Sequence, residues 1–272
     1  MTIAEVSYSL DGVNLANYAY AVRTLGAEDL PERRGDNALV PGVDGRVLLA
    51  KNYEQRVLPL ALWVDSRGTA GGARTAAQLA ANLDLLKTLF GADGTHTLLR
   101  TFGTVTRQAA VEVRGLRITP GGPYHYDMLA ELVMTDPLWY ATSLTTASSG
   151  FSSLPATPLA VTNPGTYVAR NMTLTLACPA SPAASLTNPK ITIGSFWAKY
   201  TGVIAAGQSL VIQPHLFAAT YGGNSVVSGM SWNESNGPVW LELARGPNSV
   251  VVSGDGISNT PTITVSFYAP NL

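Results

Sequence analysis

The chain has 272 residues, a net charge of −1 and only 13% charged side chains, against roughly 25% in a typical soluble protein. A net charge near zero excludes the basic footprint of a nucleic-acid-binding domain. The single cysteine, Cys178, excludes an internal disulfide framework. No apolar stretch reaches about 18 residues, so the sequence predicts no membrane span, and the first residues lack the pattern of a signal peptide.

Charge is divided unevenly along the chain. Residues 1–140 carry 13 Lys or Arg and 15 Asp or Glu, whereas residues 141–272 carry four and three. We therefore predict two domains, 1–140 and 159–272, joined by a linker. Low charge with ordinary apolar content indicates surface that is covered by a sister subunit or a partner. The alternative is an all-β protein whose exposed faces are built from Ser, Thr and Asn.

The first half begins with a hairpin pattern, Leu10-Asp11-Gly12-Val13, followed by a predicted strand at 18–25. The next segment, 26–45, is polar and rich in Gly and Pro, and its length of about 20 residues indicates a functional or interface loop. Residues 57–64 are apolar enough to predict a strand that is buried on both faces.

One amphipathic helix is predicted over Ala73–Phe90. Leu79, Leu83 and Leu86 recur at helical spacing, and Gly91 follows at a position typical of a C-cap. Three strands are predicted after it, at 95–102, 106–118 and 124–134. The first half is therefore predicted to be an α+β domain, with one helix packed on antiparallel sheets.

Residues 141–158 have the composition of a linker, since nine of the 18 are Ser or Thr and Pro155 and Pro158 lie near the end. Beyond them no segment has helical periodicity. Short strand patterns alternate with turns and predict a β-sandwich, so the whole chain is predicted to be mainly β. The predicted strands are 172–177, 190–193, 209–212, 239–244, 249–253 and 262–268.

The sequence contains none of the motifs that mark common catalytic or phosphate-binding sites. His96, His125 and His215 are isolated, and a metal site at His125 and Asp127 would need a further ligand from elsewhere. We therefore predict no catalytic residues, no metal and no cofactor. An enzyme with a site assembled from scattered residues, a hydrolase for example, stays an alternative because catalytic groups need not be adjacent in sequence.

Two tryptophans of the second half are candidate contacts for a glycan or a protein partner. Trp232 lies beside Asn233 and Glu234 in a Gly-rich loop, where exposure is plausible, and exposed tryptophans stack on sugar rings. Trp240 lies among Leu241 and Leu243, which favours packing in the core. Core or interface packing is the commoner role, because aromatic residues are also enriched in protein interfaces.

Taken in order, these parts resemble the distal tail protein of long-tailed, siphovirus-type bacteriophages. The resemblance rests on the order of strands, on the loop Val40-Pro41-Gly42-Val43-Asp44-Gly45-Arg46, on the helix end 83–90 and, most specifically, on Asp136-Pro137-Leu138-Trp139-Tyr140. The second half is similar to the family's galectin-like sandwich, with Asn163-Pro164-Gly165-Thr166 at its start and the segment 240–248 before the last strands.

The resemblance implies a structural protein without enzymatic activity, located in the virion at the tail tip after assembly in the host cytoplasm. It implies a homo-hexameric ring around a DNA channel, without sequence-specific binding of nucleic acid. The tail tube protein, a tail-tip or tail-associated protein and the tape measure protein are the implied partners. Within the long loop, we take Asp36, Val40, Val43 and Asp44 as candidate inter-subunit contacts.

A second class of function remains open. A stand-alone carbohydrate-binding or adhesion protein would be monomeric and would bind glycan through its β-sandwich. The sugar-binding cluster of galectins is not recognisable on one strand of this sequence, and a fold by itself does not determine function.

Overall fold

The computed structural model describes residues 6–25, 29–34, 52–233 and 239–272. The chain separates into two compact units, 1–140 and 141–271. Within the described ranges, no helix is long and apolar enough to cross a membrane. The predicted mainly-β fold is confirmed, with antiparallel sheets in both units and a helix in the first.

The first unit is built on an antiparallel sheet. The elements are β1 Val6–Leu10, β2 Val13–Asn14, β3 Tyr20–Leu25, β4 Arg33–Arg34, β5 Asn52–Tyr53, β6 Arg56–Asp65, α1 Ala76–Phe90, β7 Thr95–Phe102, β8 Val105–Gly122, β9 His125–Met134 and the start of β10 Trp139–Gly150. The strands of the sheet run in the order β2-β1-β7-β8-β9-β6-β3, and β4 pairs with β5 in a separate ladder.

The predicted hairpin at Leu10-Asp11-Gly12-Val13 is confirmed. Leu10 pairs with Val13 across β1 and β2. Asp11 and Gly12 both have positive φ, 47° and 81°, which is the backbone of the tight turn that suits the twist of two antiparallel strands.

The predicted helix is also confirmed, but it begins at Ala76 rather than Ala73. The Thr75 hydroxyl accepts a hydrogen bond from the Gln78 N–H at 3.1 Å, so Thr75 is the N-cap and the residues before it are not helical. Leu79, Leu83, Leu86 and Phe90 are buried in the core of the unit. At the other end, the Gly91 N–H donates to the Lys87 carbonyl at 2.8 Å.

The apolar sequence of residues 57–64 predicted a strand that is buried on both faces, but β6 is fully buried on only one. Leu58, Leu60 and Leu62 point into the core, whereas Val57 is 42% exposed and Pro59 is also exposed. The reason is that, among the described residues, α1 packs on the side of Leu58, Leu60 and Leu62, which leaves the opposite side of β6 exposed at Val57 and Pro59.

The predicted linker is wrong for residues 141–150, which belong to strand β10. The Ser148 hydroxyl lies 3.1 Å from the Ile263 carbonyl and 2.9 Å from the Thr264 hydroxyl, in the last strand of the chain. Farther along, Phe151 and Ala156 are buried in the core of the second unit. A Ser- and Thr-rich composition fits the exposed face of a strand as well as it fits a linker, so composition alone could not separate them.

The second unit is a β-sandwich. Its elements after β10 are β11 Leu159–Asn163, β12 Thr173–Cys178, β13 Ser185–Thr187, β14 Lys190–Ile193, β15 Phe196–Tyr200, β16 Val203–Ile204, β17 Gln208–Gln213, β18 Ala218–Tyr221, β19 Asn224–Ser225, β20 Met230–Trp232, β21 Gly246–Ser253, β22 Gly256–Ser258 and β23 Thr262–Asn271. One sheet has the order β19-β18-β17-β12-β23-β10, the other β11-β21-β14-β15-β20, and β16-β13-β22 form a small third sheet.

Alternation within these strands builds the sandwich core. Ile263, Val265 and Phe267 of β23 are buried as the sequence predicted, and they belong to the same apolar cluster as Ile191 and Val250 of the opposite sheet. The predicted strand at 239–244 is wrong. Within the described residues, this segment forms one isolated bridge, between Leu243 and Ala169. Trp240, Leu241 and Leu243 are all buried, so the segment lacks the alternation that its sequence had predicted.

The turn after β11 approaches the last strand very closely. A Cβ added at Gly165 would lie 2.1 Å from the carbonyl oxygen of Pro270. The Asn163 side chain fixes this turn, since its Oδ1 accepts the Gly165 N–H at 3.0 Å and its Nδ2 donates to the Tyr167 carbonyl at 2.9 Å. The Tyr167 N–H then donates to the Pro270 carbonyl at 3.3 Å.

Candidate interaction surfaces

Three aromatic rings form a cluster at one surface of the second unit. The Trp232 and Trp240 ring centroids lie 5.2 Å apart with a tilt of 31°, and Phe217 meets Trp240 edge-on at 5.7 Å. Trp240 is only 2% exposed, Trp232 is half-buried and Phe217 is 48% exposed. We call these three residues the aromatic cluster.

Burial assigns different roles to the two predicted tryptophans. A ring that is 2% exposed has no free face for a ligand, so Trp240 is a packing residue in this structure and not a direct contact. Trp232, half-buried, keeps part of its surface accessible. Sequence reasoning missed Phe217, which has no aromatic neighbour in the chain to mark it.

The backbone of Phe217 is held in a conformation that bulky residues avoid. Its φ and ψ are 51° and 37°, directly after the short 3-10 helix Pro214–Leu216, and its N–H donates to the Pro214 carbonyl at 3.2 Å. A left-handed conformation at such a residue costs about 1–3 kcal/mol, and residues held in this way cluster at functional sites. Here it presents a half-exposed ring next to Leu216, which is 59% exposed.

Within the predicted loop 26–45, residues 29–34 are described, and Arg33–Arg34 form strand β4 where the sequence predicted loop. Asp36, Val40, Val43 and Asp44 lie outside the residues that the structure describes. Their assignment as contacts between subunits stays a prediction.

A buried carboxylate at the end of β6, that of Asp65, binds two arginines that precede α1. Asp65 is fully buried and accepts hydrogen bonds from the guanidinium groups of Arg67 and Arg74, with Nη2–Oδ2 distances of 3.1 and 3.0 Å. Burial acts to raise the pKa of Asp65, but the hydrogen bonds from Arg74 and Arg67 outweigh it and leave the pKa below its ordinary value. Asn82 of the helix donates to the carbonyls of Asp65 and Arg67, both at 2.8 Å.

Each of these arginines also stacks on a tyrosine. Arg67 lies 5.4 Å from the ring centre of Tyr18, and Arg74 lies 6.0 Å from that of Tyr124. Both rings are more than half exposed. Sequence reasoning missed this group because its members come from separate loops and strands, and only the fold brings them together.

The three histidines have separate surroundings. His96 is buried, with Nδ1 2.7 Å from Asp11 Oδ2 and Nε2 3.1 Å from the Ala92 carbonyl. His125 lies beside Trp63, with 5.5 Å between ring centres, and His215 is exposed in the 3-10 helix. In the described part of the chain, no group of three or more His, Cys, Asp or Glu could hold a metal ion.

The solvent-facing side of the first unit's sheet combines apolar and charged side chains. Register places Ala61 of β6, Leu129 of β9 and Arg117 of β8 side by side. Leu129 is 48% exposed, and a depression of 250 Å³ lies over this row. The ion pair Arg23–Asp127, at 2.9 Å, also lines the depression, and a second pair on this side is Arg114–Glu131, at 3.0 Å. We call this side the outer sheet face, and its members are Val57, Pro59, Ala61, Trp63, Arg114, Arg117, Asp127, Leu129 and Glu131.

No model of a protein family matches the sequence, and none of the curated proteins does. Among solved structures, the SPP1 Dit protein, a paradigm of the hub adsorption apparatus in Gram-positive-infecting phages, matches with a TM-score of 0.67 and 16% identity. That match covers 97% of this chain and 99% of the other. Two structures of the phage P2 baseplate in its activated conformation, with Ca and with Sr, match with TM-scores of 0.45 and 0.44, each at 9% identity over 96% of this chain and 98% of theirs.

The predicted resemblance to phage distal tail proteins is confirmed at the level of the fold: over nearly its whole length, the chain has the fold of the SPP1 Dit hub protein.

Proposed function

We propose that this chain is a structural virion protein, a hub at the distal end of a phage tail that joins the tail tube to the tail-tip or baseplate proteins. The observation that carries the proposal is the likeness to SPP1 Dit, because it spans 97% of this chain and so includes both units. Tail tube, tail-tip and tape measure proteins are the proposed neighbours, and the host cytoplasm is the proposed place of assembly.

The proposal includes a ring of six copies around a channel for DNA. A subunit of a closed ring needs two large lateral surfaces, and the low charge and the exposed apolar face of the first unit support such surfaces. The near-neutral net charge fits a channel that lets DNA pass without sequence recognition. The proposed role is structural and not enzymatic.

Light scattering behind a sizing column, with negative-stain images of the peak, tests the ring. We expect a species of about 170 kDa, six copies of the 28.6 kDa chain, with a central hole. A species of 28.6 kDa at every concentration would contradict self-assembly of this protein.

A second candidate function, glycan binding in adhesion, is favoured by the aromatic cluster. Phe217 and Trp232 offer partly exposed rings that rest on the buried Trp240, and such rings can stack on the apolar faces of sugars. A glycan array probed with the full chain tests it. Binding that is lost in Trp232→Ala and kept in Trp197→Ala, a matched half-buried tryptophan, would support this function. A monomer that binds glycan in this way would favour it over the hub.

A further inference from the structure

Strand β6 has the sequence of a strand that is covered on both sides, yet within the described residues only one side is fully buried. Its inward residues Leu58, Leu60 and Leu62 are buried, and its outward residues are Val57, Pro59, Ala61 and Trp63, all uncharged. Strands of this composition are normally buried on both faces. The outer sheet face therefore has the chemistry of a contact surface, in which apolar side chains lie among arginines and carboxylates.

A second uncovered surface lies on the opposite side of the same unit. Helix α1 packs its buried leucines against the core, so the row Ala77, Ala81 and Leu85 points outward, and all three are exposed. Leu85 is 46% exposed and is the only large apolar side chain in that row. Asp84 stands beside it, with 76% of its side chain exposed.

We propose that the outer sheet face of one copy receives helix α1 of the next copy, with Leu85 entering the depression beside Leu129 and Asp84 facing Arg117. This inference rests on the proposed ring and names the surfaces that would build it. Because the two surfaces are different and lie on opposite sides of one unit, each copy can offer one to either neighbour. Repeating such a head-to-tail contact produces a closed ring when the rotation permits.

Shape supports this pairing. The alanines at 77 and 81 allow a helix to approach a sheet closely, and Leu85 is the single projection that a depression of 250 Å³ would accept. The depression has apolar and polar lining in equal parts, namely Ala61, Leu62, Met128 and Leu129 with Arg23, Arg117, Thr119 and Asp127. Leu85 would meet the apolar part.

Charge supports it as well. Arg117 is exposed and makes no ion pair within the described part of the chain, whereas the neighbouring Arg114 and Arg23 are paired with Glu131 and Asp127. Among the described residues, the Asp84 carboxylate has one ion-pair partner, Lys87 at 3.5 Å, and both side chains of this pair are exposed. A carboxylate on the helix and an unpaired guanidinium on the sheet are therefore complementary.

The first test is the mass of the full chain in solution for the wild type, Leu129→Glu, Leu85→Glu and a matched control, Val105→Glu. Val105 is an apolar residue of the same unit that is 54% exposed and lies on neither surface. We expect the wild type and Val105→Glu to assemble, and either of the other variants to raise the dissociation constant at least about tenfold, since each places a carboxylate at the centre of the proposed contact. Circular dichroism checks that each variant is folded.

The second test is cross-linking with a short bis-maleimide. Cys178 is buried and should not react. The double variant Leu85→Cys, Leu129→Cys should give a ladder of covalent species up to the full ring. A mixture of the two single variants should give covalent dimers and nothing larger, because each copy then has only one half of a contact.

The outcomes separate the two proposals. A monomeric wild type would overturn the ring and this contact together. An assembled wild type with an equally assembled Leu129→Glu would overturn the contact alone, and would assign the outer sheet face to a different partner. Dimers formed by Leu129→Cys alone would also overturn it, since they would show sheet packed on sheet.

Discussion

The imidazole of His96 donates from Nδ1 to the carboxylate of Asp11 across 2.7 Å. Its other nitrogen faces the Ala92 carbonyl at 3.1 Å. Both ring nitrogens therefore face acceptors, which only the protonated imidazolium can satisfy. The other Asp11 oxygen accepts the Thr97 N–H at 2.7 Å, so the pair fastens the β1–β2 turn to β7.

The first prediction concerns pH. The hydrogen bond to Asp11 raises the pKa of His96 above its ordinary 6.5, despite burial. The stability that His96 contributes is thus fully present below pH 6.5 and is lost as pH rises through the higher folded pKa. We expect the free energy of unfolding, measured by denaturant titration from pH 6 to 9, to contain this falling component. It should disappear in His96→Gln and persist in His215→Gln.

At low pH, protonation of Asp11 should weaken the same contact. Burial acts to raise the pKa of Asp11, but the bonds from Thr97 and His96 hold it below 3.8. Its contribution is present above pH 3.8 and is lost as pH falls through the lower folded pKa.

For His96, a wild-type stability that rises steadily from pH 6.5 to 9, with no difference from His96→Gln, would contradict an imidazolium at this position.

The second prediction concerns Asp65. Asp65→Asn should lower the free energy of unfolding by about 2–3 kcal/mol, because it weakens charged hydrogen bonds to two arginines at a buried site. Both arginines are partly exposed and can regain water, so the loss should stay below that of a fully buried ion pair. Denaturant unfolding measures it.

Asp93→Asn is the control for that change, since Asp93 is an exposed carboxylate in the turn after α1. It should shift the same quantity by less than about 0.5 kcal/mol. Equal effects of the two variants would show that the Asp65 network contributes nothing specific.

The third prediction separates the two tryptophans of the aromatic cluster. Trp240→Ala should lower stability by about 3–5 kcal/mol, because it empties a fully buried site. Trp232→Ala should cost clearly less, since its ring is only half-buried. Calorimetry of the full chain gives both values. A larger loss from Trp232→Ala would contradict the division into a packing residue and a surface residue.

The fourth prediction tests the strand that replaces the predicted linker. Thr146→Pro should lower stability by about 1–3 kcal/mol, because proline cannot donate to the ladder of β10 and crowds its neighbours. Ser153→Pro, in a bend outside the strands, should be tolerated far better. Thermal unfolding compares them. Equal melting temperatures would mean that residues 141–150 act as a linker after all.

Local patterns in the sequence predicted the elements whose signals lie within a few residues. The turn at Asp11 and Gly12, the leucine stripe of α1 and the alternation at Ile263, Val265 and Phe267 all follow from neighbours in the chain. The start of α1 was displaced by three residues because the hydroxyl of Thr75 decides it, and a threonine inside a helical pattern is a weak signal.

Contacts between residues far apart in the chain could not be predicted from such local patterns. Nothing in the chain links Asp65 to Arg74 and Tyr124, or Phe217 to Trp240, before the fold brings them together. The hydroxyls of Thr146 and Ser148 look the same in a linker and in a strand, and only their partners in β23 separate the two.

The close approach at Gly165 sets a limit on how this sequence can drift. Any side chain at that position would have to push the Pro270 carbonyl away by more than an ångström, and this would break the hydrogen bond from Tyr167. Most surface positions of the second unit can change without such a penalty. As relatives diverge, we therefore expect position 165 to keep its glycine after its surroundings have become unrecognisable, so that it can anchor an alignment where overall identity no longer can.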